Sequence, residues 1–171
     1  MKSKFITHIV LEGCDGVGKD SIMADLWPKY NFRYRVLMRG ELSDFVYSRK
    51  YNREFISTQR GLPFLYVLLT KDVNEIRNQI IKRGEDVENE LKKLADQELF
   101  KTCAKIFEQD YHIIVVDVTG LTIQEGSEKV FNETLKYINN LDKDDEPNEF
   151  NKMYIKGANK LKPKTITKHS I

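Results

Sequence analysis

A chain of 171 residues is long enough for one α/β domain with a buried core. Hydrophobic residues make up 40% of it and charged residues 32%, with a formal net charge of +2. That composition is ordinary for a soluble globular protein and argues against non-specific nucleic-acid binding through bulk charge, although a local basic patch stays open. No stretch approaches the ~20 apolar residues of a membrane span.

Met1-Lys2-Ser3-Lys4-Phe5 opens the chain, and the apolar run that follows ends at Leu11, where a glycine-rich loop begins. No run of signal-peptide type is therefore expected. Cys14 and Cys103 lie far apart with no metal-binding spacing, which predicts free thiols in a reducing compartment, the cytoplasm. Four apolar runs, at residues 5–11, 34–38, 64–69 and 112–118, are short, rich in Val, Ile, Leu and aromatics, and lack alternation. They predict parallel strands covered by helices on both faces.

Helical segments are predicted between them, at residues 20–30, 42–57, 72–83, 87–109 and 122–139. Asp72 and Glu75 have the spacing of a capping box, as do Thr122 and Glu125. Gly84 is placed to stop the third helix. In the fourth, Leu91, Leu94, Leu99, Cys103, Ile106 and Phe107 fall roughly on one face. Trp27 reads as packing. Strands alternating with helices predict a three-layer α/β/α fold on a short parallel sheet of four to five strands, joined by right-handed crossovers.

The domain is expected to span residues 1–140, with a lid region near 72–98. Residues 142–149 hold five acidic residues and one lysine, and residues 151–171 hold six lysines and no acidic residue. The stretch 141–150 reads as an acidic linker and 151–171 as a basic tail. The tail's plain reading is a disordered end, with a nucleic-acid or partner contact as the alternative.

Gly13-Cys14-Asp15-Gly16-Val17-Gly18-Lys19 directly follows the first predicted strand and matches G-x-x-x-x-G-K. Glycines allow successive N–H groups to converge on one anion, and the next helix offers its positive end to it. Residues 13–21 (Gly13, Cys14, Asp15, Gly16, Val17, Gly18, Lys19, Asp20 and Ser21) are thus the expected ATP site. Lys19 would reach the β- and γ-phosphates. The usual Ser or Thr after the lysine is Asp20 here, followed by Ser21. Both are candidate Mg²⁺ ligands, because a carboxylate is a good hard ligand. Repulsion of the phosphates by Asp20 is the competing expectation.

Residues 10–19, Val-Leu-Glu-Gly-Cys-Asp-Gly-Val-Gly-Lys, resemble the opening of thymidylate kinases, which read E-G-x-D-G-x-G-K. The Lys-Asp ending is similar to that of some phage deoxynucleoside monophosphate kinases. Residues 39–47 resemble the family's D-R-x-x-x-S-x-x-x-Y stretch. Residues 64–84, with Asp72, Glu75, Arg77, Arg83 and Gly84, look like its strand and arginine-bearing lid helix, and residues 116–120 like its last strand and adenine-side loop. The likeness covers roughly residues 5–138. Two departures stand out. Met38 replaces the acidic partner of the D-R pair, and one strand rather than two separates the phosphate loop from Phe64.

The resemblance implies a P-loop kinase that transfers the γ-phosphate of Mg²⁺–ATP to a deoxynucleoside monophosphate. It further implies a host-cytoplasm setting if the chain is phage-encoded, and a homodimer as a weak prior. Lys19, Arg39, Arg77 and Arg83 are the candidate catalytic residues, with Lys82 a competitor to the last two. Phosphoryl transfer needs positioning and charge neutralisation above all. Arg77 and Arg83, six apart, fall about 120° apart on a helix. The acceptor site would use Glu12, Asp15, Arg39, Ser43 and Tyr47. Asp15 would take the deoxyribose 3′-hydroxyl or simply shape the loop. Glu12 would act as a base or order metal-bound water, or would brace Arg39 by an ion pair. Phe45, Tyr47, Tyr51 and Phe55 are candidate stacking partners for a base. Asp117 ends the last strand and reads as a turn former. Two alternatives stay open: a nucleotide-binding protein without catalysis, and a kinase acting on a nucleoside or on a modified base in DNA.

Overall fold

A computed structural model describes residues 2–31, 33–82, 84 and 87–141, with side chains from 95 onward in the last segment. The acidic and basic stretches expected beyond residue 141, and Arg83, lie outside the described residues.

Four strands, β1 (His8–Glu12), β2 (Arg35–Met38), β3 (Phe64–Thr70) and β4 (His112–Asp117), form one all-parallel sheet in the order β2-β1-β3-β4. Register runs Val10 against Leu37 and Tyr66, and Val67 against Ile114. Five helices connect and follow them: α1 (Lys19–Lys29), α2 (Glu41–Lys50), α3 (Val73–Lys82), α4 (Val87–Phe107) and α5 (Ile123–Leu141). α1 packs against α5, and α4 against both α2 and α3, which is compatible with a three-layer α/β/α arrangement. Among the described residues no helix is long and apolar enough to cross a membrane.

The predicted strands are all present, but only the inner two are buried along their length. β1 and β3 lie between other strands, and Ile9, Leu11, Leu65, Tyr66, Leu68 and Leu69 are wholly buried. Each such side chain contributes roughly 1.5–3 kcal/mol by leaving water. β2 and β4 are edges, so the expectation of cover on both faces fails there: Leu37 and Val115 are exposed, the latter at 57%. The helix expected over 42–57 ends at Lys50, because Asn52 takes a left-handed φ of 50° and Arg53 N–H turns back to the Ser48 carbonyl at 2.7 Å.

In α4, Phe100, Cys103 and Phe107 are buried and Leu99 packs partly against the core, but Ile106 is exposed and is not part of that face. The side chains of Leu91 and Leu94 lie outside the described residues. Trp27 is half-exposed rather than core. Gly84 does stop its helix, with φ 69° and its N–H on the Ile81 carbonyl at 2.9 Å.

The order of strands matters for function. From β1 the chain moves to β2 on one side, then returns past β1 to β3 and on to β4. The direction of winding therefore reverses between β1 and β3. Open α/β sheets hold ligands in the crevice beyond the carboxyl ends of the strands at such a switch point. The loop of residues 13–18 leaves β1 there, and Lys71 and Asp72 leave β3 beside it.

Candidate functional site

The loop between β1 and α1 is held by sequence features that act at short range. Gly13, Gly16 and Gly18 have φ of 132°, 88° and 98°, backbone that side-chain-bearing residues rarely adopt. Gly13 is also pressed on the end of β3, where a Cβ would stand 2.6 Å from the Leu69 carbonyl oxygen. Cys14 and Val17 are buried beneath the loop and anchor it. Burial pushes the Cys14 thiol up to about 11, so it is an unreactive protonated anchor.

Gly18 precedes α1 without giving it any side-chain cap. The first-turn N–H groups of a helix have no intrahelical partner and carry the positive end of its dipole. Lys19 folds back over the loop and donates to the Gly13 and Cys14 carbonyls, both at 2.7 Å, with Asp15 Oδ1 at 4.0 Å. Its side chain is only 7% exposed, and burial lowers its pKa while Asp15, Cys14 and Glu12 oppose that. An ammonium so placed can trade carbonyl partners for the oxygens of an anion. Asp20 and Ser21 are exposed in the first turn of α1 and offer hard oxygen donors next to the loop. Among the described residues no group of three or more His, Cys, Asp and Glu side chains could hold a metal alone. A cation here would need oxygens from a bound ligand.

At the end of β2, Arg39 adopts φ 56° and its N–H donates to the Leu11 carbonyl at 3.1 Å. The guanidinium Nη2 donates to Asp15 Oδ1 at 2.8 Å, and both side chains are about half-exposed. Of the two roles expected for Glu12, bracing Arg39 by an ion pair fails: Asp15 is the partner. Glu12 is fully buried and accepts instead from Gly40 N–H at 2.7 Å, from Ser43 N–H at 3.4 Å and from the Ser43 hydroxyl. It caps the first turn of α2 from another strand. Burial raises its pKa, with the hydrogen bonds from Ser43 and Gly40 and the charge of Lys19 acting against the rise.

Tyr47 lies on α2, stacked on Tyr51 at 6.2 Å and edge-on to Phe100. Burial and the charge of Asp15 raise its phenol pKa, so its ring and the Asp15–Arg39 pair share one region. Phe45 packs on Phe55 at 4.9 Å and on Phe107 at 6.1 Å, so those rings serve the core. Next to Tyr47, Lys50 is bound by both oxygens of Asp96, at 2.6 and 2.8 Å, and sits 5.6 Å from the Tyr51 ring centre. Asp96 carries no motif, and sequence reasoning passed over it.

α3 covers the loop from the other direction: Ile76 and Ile80 are buried against Gly16. Arg77 is exposed on α3. Asp72 caps the helix, accepting from Asn74 N–H at 2.8 Å, but Glu75 does not complete the expected capping box. Its Oε1 accepts from Gly120 N–H at 2.7 Å, while Asp72 N–H goes to the Thr119 hydroxyl. Asp117 in turn accepts from Thr119, which is the turn-forming role expected for it. A small cleft of about 120 Å³ opens beside Gly18 and Ser21, and Val118, Leu121 and Ile123 are among the residues that line it. Lys71 and Gln79 also line it, and neither shows any signal in the sequence. No protein-family model matches this chain, and no curated protein matches it significantly.

Proposed function

We propose that this chain is a P-loop nucleotide kinase that transfers the γ-phosphate of ATP to a deoxynucleoside monophosphate. The observation that carries the reading is the loop at residues 13–19, with three left-handed glycines, a helix start without a side-chain cap, and a buried lysine folded over its carbonyls. The winding reversal between β1 and β3 places that loop where α/β sheets hold ligands. Lys19 would grip the transferring phosphoryl group, and Arg39, paired with Asp15 at rest, would swing to the acceptor phosphate. Tyr47 would border the acceptor, Ser43, buried with its hydroxyl on Glu12, would steady the start of α2, and Arg77 would approach from the α3 side. Asp20 and Ser21 would hold Mg²⁺, which when bound neutralises developing charge on the phosphates.

The test is to incubate the protein with Mg²⁺–ATP and a panel of monophosphates, hydroxymethylated pyrimidine nucleotides included, and to measure ADP and diphosphate. Turnover on at least one monophosphate is expected, and Lys19→Met should lower it ~10²-fold or more by removing a charge aimed at the transferring group. Asp20, standing where a hydroxyl usually binds the metal, favours a second reading in which nucleotide binds without transfer. Tight ATP binding with no diphosphate from any acceptor would select that second reading.

A further inference from the structure

We infer that Lys71 is a second phosphate-binding lysine, one that engages the α-phosphate of a nucleotide held on the loop of residues 13–19. This rests on the nucleotide-binding reading above and extends it to a residue outside the loop motif. Lys71 is the first residue beyond β3, on the far side of the winding reversal from the loop. Its backbone is clamped by a single buried amide: Lys71 N–H donates to Gln97 Oε1 at 3.0 Å, and Gln97 Nε2 donates to the Lys71 carbonyl at 2.9 Å. The main chain is thus fixed without the side chain taking part.

The Lys71 side chain is only 9% exposed, yet its charge is loosely matched. Glu75 Oε2 lies 3.5 Å away, and the other oxygen of that carboxylate is committed to Gly120 N–H. With its NH₂ turned to the Gly16 carbonyl, the Gln79 amide presents its oxygen 3.1 Å from the Lys71 ammonium and so links it to the phosphate loop. An ammonium has three donors, and among the described residues these contacts occupy at most two. Desolvating a lysine costs free energy, and an i,i+4 ion pair of that length returns little. A methionine would fill the same space for the fold alone.

The cleft gives the spare donor a purpose. Ser21, Lys71, Gln79 and Thr122 give it polar lining, and Val118 and Ile123 apolar lining. A phosphate with the sugar attached to it carries both characters. Lys19 lies over the Gly13 and Cys14 carbonyls, where the terminal phosphates of a polyphosphate would sit. Lys71 lies by the opposite end of the loop, at Gly18, which leaves it the phosphate nearest the base.

Titration calorimetry with ADP, and with adenosine as the phosphate-free control, tests this on the full chain. Lys71→Met should weaken ADP about tenfold, the loss of one charge-assisted hydrogen bond, while adenosine stays within about twofold and Lys71→Arg restores most of the ADP affinity. Glu75→Gln should tighten ADP, because it removes the competing charge and keeps an oxygen for Gly120 N–H; this arm still decides the matter if Lys71→Met does not fold. Equal losses for ADP and adenosine, no loss for ADP, or weaker ADP binding by Glu75→Gln would overturn the assignment to Lys71. A folded wild-type protein that binds no ADP would instead overturn the nucleotide-binding reading, and this inference with it.

Discussion

A side chain at Gly13 and one at Gly18 meet different obstacles, although both positions have left-handed backbone. The Cβ of Gly13→Ala would collide with a backbone oxygen of β3, which cannot move without disturbing the centre of the sheet. The Cβ of Gly18→Ala would meet open space and suffer only the cost of φ 98°. Urea unfolding should therefore show Gly13→Ala losing about 1–3 kcal/mol or more, and Gly18→Ala about 1 kcal/mol. Under the proposed nucleotide binding, ADP affinity should fall in both, since the open space at Gly18 is the space a phosphate would take. Full ADP affinity in a folded Gly18→Ala protein would argue that the anion sits elsewhere. The loop itself was readable because its chemistry is contiguous. The six residues from Gly13 to Gly18 and the lysine after them specify backbone angles, an anchor and a charge without help from the rest of the chain. Lys71 was invisible for the opposite reason: its meaning depends on Gln79, Glu75 and Gln97, which only the fold brings to it.

At the level of the element, α2 is the instructive case. Its first residue follows Gly40, which has no side chain to cap with, and the cap comes from Glu12, 28 positions earlier, on β1. A Cβ on Gly40 would come within 2.9 Å of Val10 and 3.1 Å of Tyr66, so the helix start is seated on the sheet. A negative group at a helix N-terminus is favoured by the dipole, and two N–H groups, one buried and one part-buried, depend on this one. Glu12→Ala should cost about 2–3 kcal/mol in chemical denaturation, and Glu12→Gln, which keeps an acceptor of the same size, about 1 kcal/mol. Because Arg39 precedes Gly40, the proposed phosphate transfer should fall in both variants even at temperatures where they stay folded. A Glu12→Gln protein with wild-type turnover would remove Glu12 from the groups that position the proposed acceptor site. Caps formed by neighbours in sequence were legible: Thr122 and Glu125 satisfy each other as their spacing predicts. Caps that cross between elements, Glu12 onto α2 and Glu75 onto Gly120, were not, because spacing rules see only i to i+3. The early end of α2 was signalled by Asn52, whose tolerance of left-handed backbone is a stop signal that a run of aromatics and arginines obscured.

The whole molecule is joined away from the site by His112, which stands at the start of edge strand β4. It is 4% exposed, and both ring nitrogens are engaged. Nε2–H donates to the Ser3 carbonyl at 2.6 Å, so Nδ1 is the acceptor for the Tyr137 hydroxyl at 3.0 Å. One neutral ring thus links the N-terminal segment, the sheet edge and α5. Burial lowers its pKa, with the Ser3 carbonyl opposing and Lys2 assisting. A histidine whose folded pKa is depressed lends stability that is fully present above its ordinary value near 6.5 and is lost as pH falls through the folded value. His8 is shifted in the same direction by burial and by Arg35 and adds to the effect. Asp25, Asp117 and Glu125 have lowered carboxylate values, so their contributions disappear only below about pH 4, outside this window. Glu12, whose raised value acts in the opposite sense, offsets part of this, and it is the histidine contribution to melting temperature that should drop between pH 7.5 and pH 5.5. The drop should shrink, not vanish, in His112→Gln, which keeps an amide donor and acceptor but cannot be protonated. Hydrogen exchange should show the first residues of β1 and the end of α5 losing protection together as the wild type is acidified. An unchanged slope in His112→Gln would assign the acid sensitivity to His8 and leave the N-terminal tie to packing alone.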